Sequence, residues 1–235
     1  MKRNELIQLA SVEEEHWWFV ERRNLLRLWA QKCNVSDQLL DIGAGAGRQS
    51  LLLSEEFGLQ VDSLENSEFG QKAILDKGLN LIYASATSIP MPNNYYDGIV
   101  AMDVLEHIPE DEKAISEFFR VIKPGGNLFI TVPAFQFLWS SHDVAVDHVR
   151  RYSKRELVRK FEEAGLEVSY IRFWNSILFP LGLISRLICS ASDLKMPSAL
   201  VNRLLKFIIK LERNSRLIGK IPGTSLILFA TKIGQ

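Results

Sequence analysis

The sequence predicts an α/β protein built on a doubly wound, mostly parallel sheet of seven strands. Two observations lead to this prediction. A short apolar strand runs into a glycine-rich turn at Leu39–Arg48 and is followed by a helix-like segment. Strand-like apolar segments then alternate with helix-like segments along the chain, which is the pattern of parallel strands joined by helices.

The turn within Leu39–Arg48 organises the rest of the chain. Its three alternating glycines have no Cβ, so the backbone there can adopt positive φ and lie directly against a ligand. They are Gly43, Gly45 and Gly47. The next strand-like segment ends on Glu65, about 20 residues past the glycines, where a carboxylate reaches ribose hydroxyls. The pattern therefore predicts an adenosine-type ligand at the carboxyl ends of two adjacent parallel strands.

The spacing of the turn distinguishes between ligands. In the dinucleotide fingerprint Gly-x-Gly-x-x-Gly the third glycine would stand at position 48, but here it comes one residue earlier and Arg48 takes its place. Asp41, just before the turn, suits an ammonium group better than a pyrophosphate. The string Asp-x-Gly-x-Gly-x-Gly with a downstream acid resembles motif I of the class I S-adenosylmethionine-dependent methyltransferases. The resemblance implies S-adenosyl-L-methionine as the cofactor.

Three further segments resemble the same family. Tyr95–Ile108 is similar to its segment ending in Asp-Val-Leu-Glu-His-Ile, and Arg120–Leu128 to its Lys-Pro-Gly-Gly turn before a strand. The string His-Trp-Trp-Phe-x-x-Arg-Arg at His16–Arg23 resembles an N-terminal signature of one bacterial and archaeal methyltransferase group. The family likeness implies that the last strand, Ser225–Lys232, is antiparallel.

The resemblance also assigns residues to the cofactor. Glu65 is expected to hold the ribose, and Asp41 with the glycine turn the amino-acid end. Ser85 begins the segment that closes over the adenine ring, where the family usually has Asp. His107 either caps the next helix or faces the pocket. The whole predicted cofactor site is Asp41, Gly43, Ala44, Gly45, Gly47, Glu65, Asn66, Ser85, Ala86, Thr87, Asp103, Val104 and His107.

The chain divides into three predicted parts. Residues 1–36 form a helical lid, 37–173 and 223–235 form the methyltransferase α/β domain, and 174–222 form a helical insertion. In the first part, a helix predicted at residues 12–32 carries adjacent aromatic side chains that cannot all face one core, because neighbouring helical positions diverge by about 100°. The helix either packs against the sheet on two sides or covers the ligand, with Trp17, Trp18 and Arg22 lining a substrate pocket.

The connection 133–152 is long for a compact domain, which points to function. His148, His142 and Asp143 are the predicted catalytic residues, since a histidine can accept a proton near neutral pH. Metal binding by His142, Asp143, Asp147 and His148 is disfavoured, because two histidines and two acids also arise in any polar loop. Predicted substrate contacts here are Trp139, Arg150, Arg151 and Tyr152, and the two arginines suit a phosphate or carboxylate.

Within 174–222 a helix is predicted with an apolar stripe and a basic side. The stripe is Leu200, Val201, Leu204, Leu205, Ile208 and Ile209, and the basic side is Arg203, Lys206, Lys210 and Arg213. A basic amphipathic helix of this type can lie on an anionic membrane surface. The alternatives are that it covers the substrate cleft or forms a dimer contact, so a monomer and a homodimer are both open.

Composition sets the remaining expectations. Basic and acidic residues balance at 28 each, so no global charge favours nucleic-acid binding. Two distant cysteines make no disulfide framework. Without an apolar signal core or an uninterrupted spanning segment, the expected location is the cytoplasm, with peripheral contact at the inner membrane face left open.

Together these observations predict methyl transfer from S-adenosylmethionine to a small-molecule, glycan or lipid-linked acceptor, on oxygen. A nicotinamide-dependent oxidoreductase would use the same crevice, but Arg48 and the lack of a hydride-transfer dyad argue against it. A non-catalytic, membrane-associated nucleoside-binding protein would need only the insertion and would tolerate loss of the glycines.

Overall fold

A computed structural model describes residues 11–33, 37–181, 183, 196–215 and 218–234. The beginning of the predicted lid and the centre of the predicted insertion, including Cys189, therefore lie outside the described residues.

The described chain alternates helices and strands. The helices are α1 (Trp17–Cys33), α2 (Arg48–Phe57), α3 (Glu68–Asp76), α4 (Asp111–Val121), α5 (Ser141–Ala145), α6 (Lys154–Glu163) and α7 (Ala199–Asn214). The strands are β1 (Gln38–Ile42), β2 (Gln60–Leu64), β3 (Asn80–Ile82), β4 (Tyr96–Met102), β5 (Ile122–Pro133), β6 (Leu166–Trp174) and β7 (Ser225–Lys232).

The strands form one seven-stranded sheet in the order β3-β2-β1-β4-β5-β7-β6. β7 pairs antiparallel with both β5 and β6, and the other pairs are parallel. The predicted fold class and the antiparallel last strand are thus confirmed. The strand order reverses between β1 and β4, so the crevice for a ligand is expected beyond the carboxyl ends of these two strands.

Alternating strand residues supply the two faces of the core, because successive side chains point to opposite sides of a sheet. On β1, Leu40 packs with the helices α4 and α6, whereas Leu39 packs with α1, α2 and α7. On β5, Phe129 lies on the second face and stacks on Trp29 of α1, with ring centroids 5.8 Å apart. The sheet is therefore covered on both sides, as a doubly wound fold requires.

The N-terminal helix is anchored to the sheet and to α7. Its side chains Leu26 and Trp29 are fully buried. At its start the backbone N–H of Trp17 donates to Asn202 of α7 at 2.9 Å. The helix begins at Trp17, later than predicted, because residues 13–15 form a separate turn across which the N–H of His16 donates to the carbonyl of Val12 at 2.9 Å.

The predicted turn Lys123–Gly126 lies inside β5 rather than before it. The pairing with β4 jumps from Tyr96 opposite Ile122 to Gly98 opposite Asn127, so the extra residues bulge out of the strand. Gly125 adopts a φ of 81° at this bulge.

No helix in the part of the chain that the structure describes is both long and apolar enough to cross a bilayer.

Candidate donor and acceptor sites

The glycine turn follows β1 directly, and its three glycines all have positive φ, at 67°, 55° and 76°. Their surroundings differ. A Cβ on Gly43 would lie 2.6 Å from Val104, and one on Gly47 would lie 2.9 Å from Leu79. A Cβ on Gly45 would meet no atom within 4 Å. Bare main chain at Gly45 therefore borders open space at the carboxyl end of β1, where a ligand can approach closely.

Glu65 lies directly after β2 and closes the other side of this space. Its carboxylate accepts hydrogen bonds from the backbone N–H groups of Gly45 at 2.8 Å, Asn66 at 3.0 Å and Ser67 at 2.8 Å. The glycine turn and Glu65, which the sequence pattern predicts to lie close together, are therefore in direct contact. By accepting these hydrogen bonds, the carboxylate orders the turn that borders the open space.

Asp41 lies behind the turn, not on its open surface. It is buried, and one of its oxygens accepts the hydroxyl hydrogen of Ser50 at 2.7 Å. Burial, which outweighs the hydrogen bond, raises the pKa of Asp41 to about 7. The bond to Ser50 fixes this carboxyl next to the turn, and its predicted contact with the amino-acid end of the cofactor stays a prediction.

The predicted adenine segment forms a small turn of its own. The hydroxyl groups of Ser85 and Thr87 are hydrogen-bonded to each other at 2.8 Å, and the N–H of Thr87 donates to the Ser85 hydroxyl at 3.2 Å. Ala86 between them is buried. Ser85 is therefore presented with a fixed hydroxyl, where the related family has a carboxylate.

The end of β4 links this space to the N-terminal helix. Asp103 has a positive φ of 56° and accepts a hydrogen bond from Thr131 at 2.9 Å. Arg22 of α1 lies 3.2 Å from the other oxygen of Asp103 and donates to the carbonyl of Met102 at 2.9 Å. Arg22 is buried, so the structure assigns it to holding α1 against β4.

The segment preceding α1 crosses toward the glycine turn. Glu14 pairs with Arg48 at 2.6 Å. Arg23, which sequence reasoning left unassigned, donates to the carbonyls of Glu13 and Glu14 at 2.7 and 2.8 Å. Half-buried Trp18 packs its ring against that of Trp174, with centroids 4.4 Å apart. Helix α1 therefore packs against the sheet domain, while the segment before it reaches Arg48, next to the glycine turn.

Just after Val104, Glu106 and His107 form a cluster of one carboxylate and two imidazoles with His148. Glu106 is fully buried and neither of its oxygens has a hydrogen-bond partner on another of the described residues. Nε2 of His148 lies 3.8 Å from Glu106, and the rings of His107 and His148 meet edge to face at 4.7 Å. Burial, joined by the charge of Asp103, raises the pKa of Glu106 well above its usual range. Burial and the neighbouring His148 lower the pKa of His107 to about 4.

Sequence reasoning missed Glu106. The available signal was a carboxylate beside His107 immediately after a strand that ends at the ligand edge of the sheet. The structure places His107 in a short 3₁₀ turn, Leu105–His107, so it faces the cluster and does not cap the next helix.

Asp143, one of the predicted catalytic residues, is held within the protein framework. It is fully buried and accepts hydrogen bonds from Arg151 at 2.7 Å and from Ser140 at 2.9 Å. It also lies 2.9 Å from Nδ1 of His148. Against the effect of burial, these hydrogen bonds from His148 and Arg151 hold the pKa of Asp143 far below its usual range. Asp143 therefore orients His148.

Three of the predicted substrate contacts are likewise occupied within the protein. Arg151 is buried against Asp143 and the carbonyl of Ala134. Arg150 pairs with Asp111 at 2.8 Å, and the hydroxyl of fully buried Tyr152 donates to the same carboxylate at 2.8 Å. Both arginines thus have carboxylate partners within the protein, and their contact with a substrate stays a prediction. Trp139 is half-buried, and the half-buried ring of His142 lies 6.4 Å from that of His148.

The comparison with protein families agrees with this geometry. Residues 12–171 match the family described as "Methyltransferase domain". The chain belongs to this family of S-adenosylmethionine-dependent methyltransferases, as predicted, and S-adenosyl-L-methionine is the cofactor that this assignment gives the site.

Individual relatives are distant. The chain is 25% identical over 164 residues to a "Probable S-adenosylmethionine-dependent methyltransferase" of Mycolicibacterium smegmatis, covering 68% of this chain and 63% of that protein. It is 30% identical over 125 residues to the ubiquinone/menaquinone biosynthesis C-methyltransferase UbiE of Erwinia tasmaniensis, covering 48% and 50%. The chain thus spans between half and two thirds of these relatives' lengths.

Among solved structures, a SAM-dependent methyltransferase from Archaeoglobus fulgidus has a similar fold. Its TM-score is 0.61 at 19% identity, with 89% of this chain and 92% of that chain covered. This likeness supports the fold class.

Proposed function

We propose that this chain transfers the methyl group of S-adenosylmethionine to an oxygen atom of a small or lipid-linked acceptor. The observation that carries the proposal is the open space at Gly45, bordered by the carboxylate of Glu65, which lies 2.8 Å from the Gly45 nitrogen. Bare backbone beside a carboxylate suits a nucleoside whose sugar hydroxyls need an acceptor. When bound, the cofactor supplies an electrophilic methyl group on a sulfonium.

The acceptor is proposed to lie beside Glu106, His107 and His148. Val104, whose side chain packs on Gly43 of the donor turn, connects this cluster directly to the donor side. Holding donor and acceptor in line is worth about 7–11 kcal/mol of the barrier in favourable cases. Proximity of the two sites is therefore the main catalytic contribution expected of this fold.

The chemistry of the cluster supports an oxygen acceptor. A hydroxyl nucleophile must lose its proton, and a buried carboxylate with two imidazoles can assist by two routes. Either His148, oriented by Asp143, accepts the proton, or a cation held by the cluster lowers the pKa of the hydroxyl. The Erwinia relative is named a C-methyltransferase, so methylation on carbon is the alternative that product analysis would reveal.

A lipid-linked acceptor is supported by the surface of α7. Its buried side is Asn202, Ile209 and Glu212, whereas Leu200, Leu204, Phe207 and Leu211 are exposed. Exposed Arg203 and Lys210 lie on the same helix. An exposed apolar stripe with basic neighbours suits an anionic lipid surface. This arrangement differs from the predicted stripe, because Ile209 faces the sheet while Leu200 and Leu204 face outward.

Calorimetric titration with S-adenosylmethionine tests the donor site. Glu65→Gln should weaken donor binding about 10–100-fold, since a hydrogen bond to a charged group contributes roughly 1.5–3 kcal/mol. Glu68→Gln, at an exposed acid three residues along, is the matched control and should bind as the unaltered protein does. Equal donor affinity in the two variants would refute the donor site.

A further inference from the structure

Glu106 is the most unusual side chain in the described part of the chain. Its carboxylate is completely buried, yet neither oxygen has a hydrogen-bond partner on another of the described residues. An unpartnered buried carboxylate is costly, and such groups are normally paired with a cation or coordinate a metal. Arg22 and Arg151 are the buried guanidiniums of this region, and they are bound to Asp103 and Asp143 instead.

Two imidazoles complete a convergent set of ligand atoms. One ligand atom from each of Glu106, His107 and His148 lies within 4.8 Å of the other two. The 3.8 Å between Nε2 of His148 and the Glu106 oxygen is too long for a hydrogen bond. Small side-chain rotations would bring the three atoms to the separations that metal–nitrogen distances of about 2.0–2.1 Å require.

The second nitrogen of each imidazole is held by an oxygen. Nδ1 of His148 lies 2.9 Å from Asp143, and Nδ1 of His107 lies 3.2 Å from the carbonyl of Asp147. With Nδ1 protonated in both rings, each Nε2 keeps its lone pair. Ligating histidines in metal sites are oriented in this way by a carboxylate or a backbone carbonyl.

We propose that Glu106, His107 and His148 bind a divalent transition-metal ion of the zinc type, with Asp143 as a positioning residue. Two imidazoles and one carboxylate are a ligand set that zinc accepts in catalytic sites, where a further coordination position stays open. Given the proposed function, on which this consequence rests, the acceptor hydroxyl would bind at the open position, where the ion would lower its pKa so that its proton passes to solvent water. His148 would then act as a ligand and not as the base.

Direct metal titration tests this inference. The full chain is stripped with a chelator, dialysed and titrated with Zn²⁺ alone by calorimetry, and Co²⁺ is added separately to record its visible absorption. One site per chain is expected. Glu106→Gln should weaken Zn²⁺ binding by more than about 100-fold, and Asp143→Asn by about 10–100-fold, the usual effect of losing an orienting partner.

Matched variants make the result decisive. Glu110→Gln changes an exposed acid four residues along and should leave Zn²⁺ affinity unchanged. His148→Asn gives a second ligand variant, and thermal unfolding with and without Zn²⁺ shows that each variant folds. Added Zn²⁺ should raise the Tm of the unaltered chain and of Glu110→Gln but not of Glu106→Gln.

Two outcomes would overturn the site: absence of stoichiometric Zn²⁺ binding, or unchanged Zn²⁺ affinity in both Glu106→Gln and His148→Asn. S-adenosylmethionine binding measured on the same samples separates this failure from that of the proposed function. A chain that binds the donor but no Zn²⁺ refutes the metal site and leaves the donor site standing. A chain that binds Zn²⁺ but no S-adenosylmethionine refutes the donor site and leaves the metal site standing.

Discussion

Arg22 reaches across from the first helix to the end of β4, where it lies 3.2 Å from Asp103 and donates to the Met102 carbonyl at 2.9 Å. Both contacts fall at the carboxyl edge of the sheet, beside the segment that carries Glu106. This one side chain therefore fixes the N-terminal helix against the strand from which the proposed acceptor site begins.

Removing this cation should destabilise the protein strongly. Arg22→Met leaves Asp103 without its cationic partner, and breaking a buried ion pair costs about 3–5 kcal/mol. Because the Asp103 side chain is 24% exposed, water will compensate in part, and we expect about 2–3 kcal/mol from urea unfolding. Arg159→Met, in the exposed pair with Glu163, is the control and should change stability by under about 0.5 kcal/mol. Similar losses in the two variants would contradict the role given to Arg22.

The glycine turn can be tested by separating backbone strain from ligand approach. Gly45→Ala places a Cβ in open space at a φ of 55°, so the folded chain should lose only the strain of about 1–2 kcal/mol. Gly58→Ala at the end of α2 has a φ of 67° and equally open surroundings. Both variants should lose similar stability by thermal unfolding, but only Gly45→Ala should lose donor affinity, by tenfold or more in calorimetry. Equal donor affinity would show that the turn does not border the ligand.

Stability should depend on pH through Asp41. Burial raises its pKa from 3.8 to about 7, so the folded chain retains a proton that the unfolded chain releases. Between these two values the folded state binds more protons, and this contribution to stability falls as pH rises, by up to about 1.4 kcal/mol per pH unit. In Asp41→Asn this contribution is absent. The difference in unfolding free energy between variant and parent should therefore grow in favour of the variant from pH 4 to pH 7, and a constant difference would refute the shift.

Contact with lipid can be tested on α7. Phe207→Glu and Leu75→Glu replace side chains that are each 59% exposed, one on the apolar stripe and one on α3. Burying such an aromatic side chain contributes roughly 1.5–3 kcal/mol, so Phe207→Glu should weaken binding to phosphatidylglycerol vesicles about 10–100-fold. Leu75→Glu should co-float as the parent does, and high salt should release both. Flotation that is independent of Phe207 would exclude this stripe as the lipid contact.

The donor side could be predicted from sequence because its signal is local. Gly45 and Glu65 are set by a short turn and by the end of the next parallel strand, so their spacing along the chain fixes their proximity in space. The predicted alternation of helices and strands also indicated the order of the elements, because each helix or strand has its own period of apolar residues.

The acceptor side could not be predicted in the same way. Arg151 and Tyr152 have the residue types of a substrate clamp, but their roles depend on partners contributed by other parts of the fold. Tyr152 binds Asp111, which is 41 residues away in sequence. Glu106, in contrast, was left out of the predicted site. It stands out only because no other described residue donates a hydrogen bond to its carboxylate, and a sequence does not show a missing hydrogen bond.

The anchoring of α1 to α7 has a consequence for synthesis. Trp17 contacts Asn202 and Glu21 contacts Arg213, partners 185 and 192 residues further along. As the chain leaves the ribosome, these contacts cannot form until the sheet has been translated through β6. Until α7 has been translated, α1 therefore keeps part of its surface unpaired.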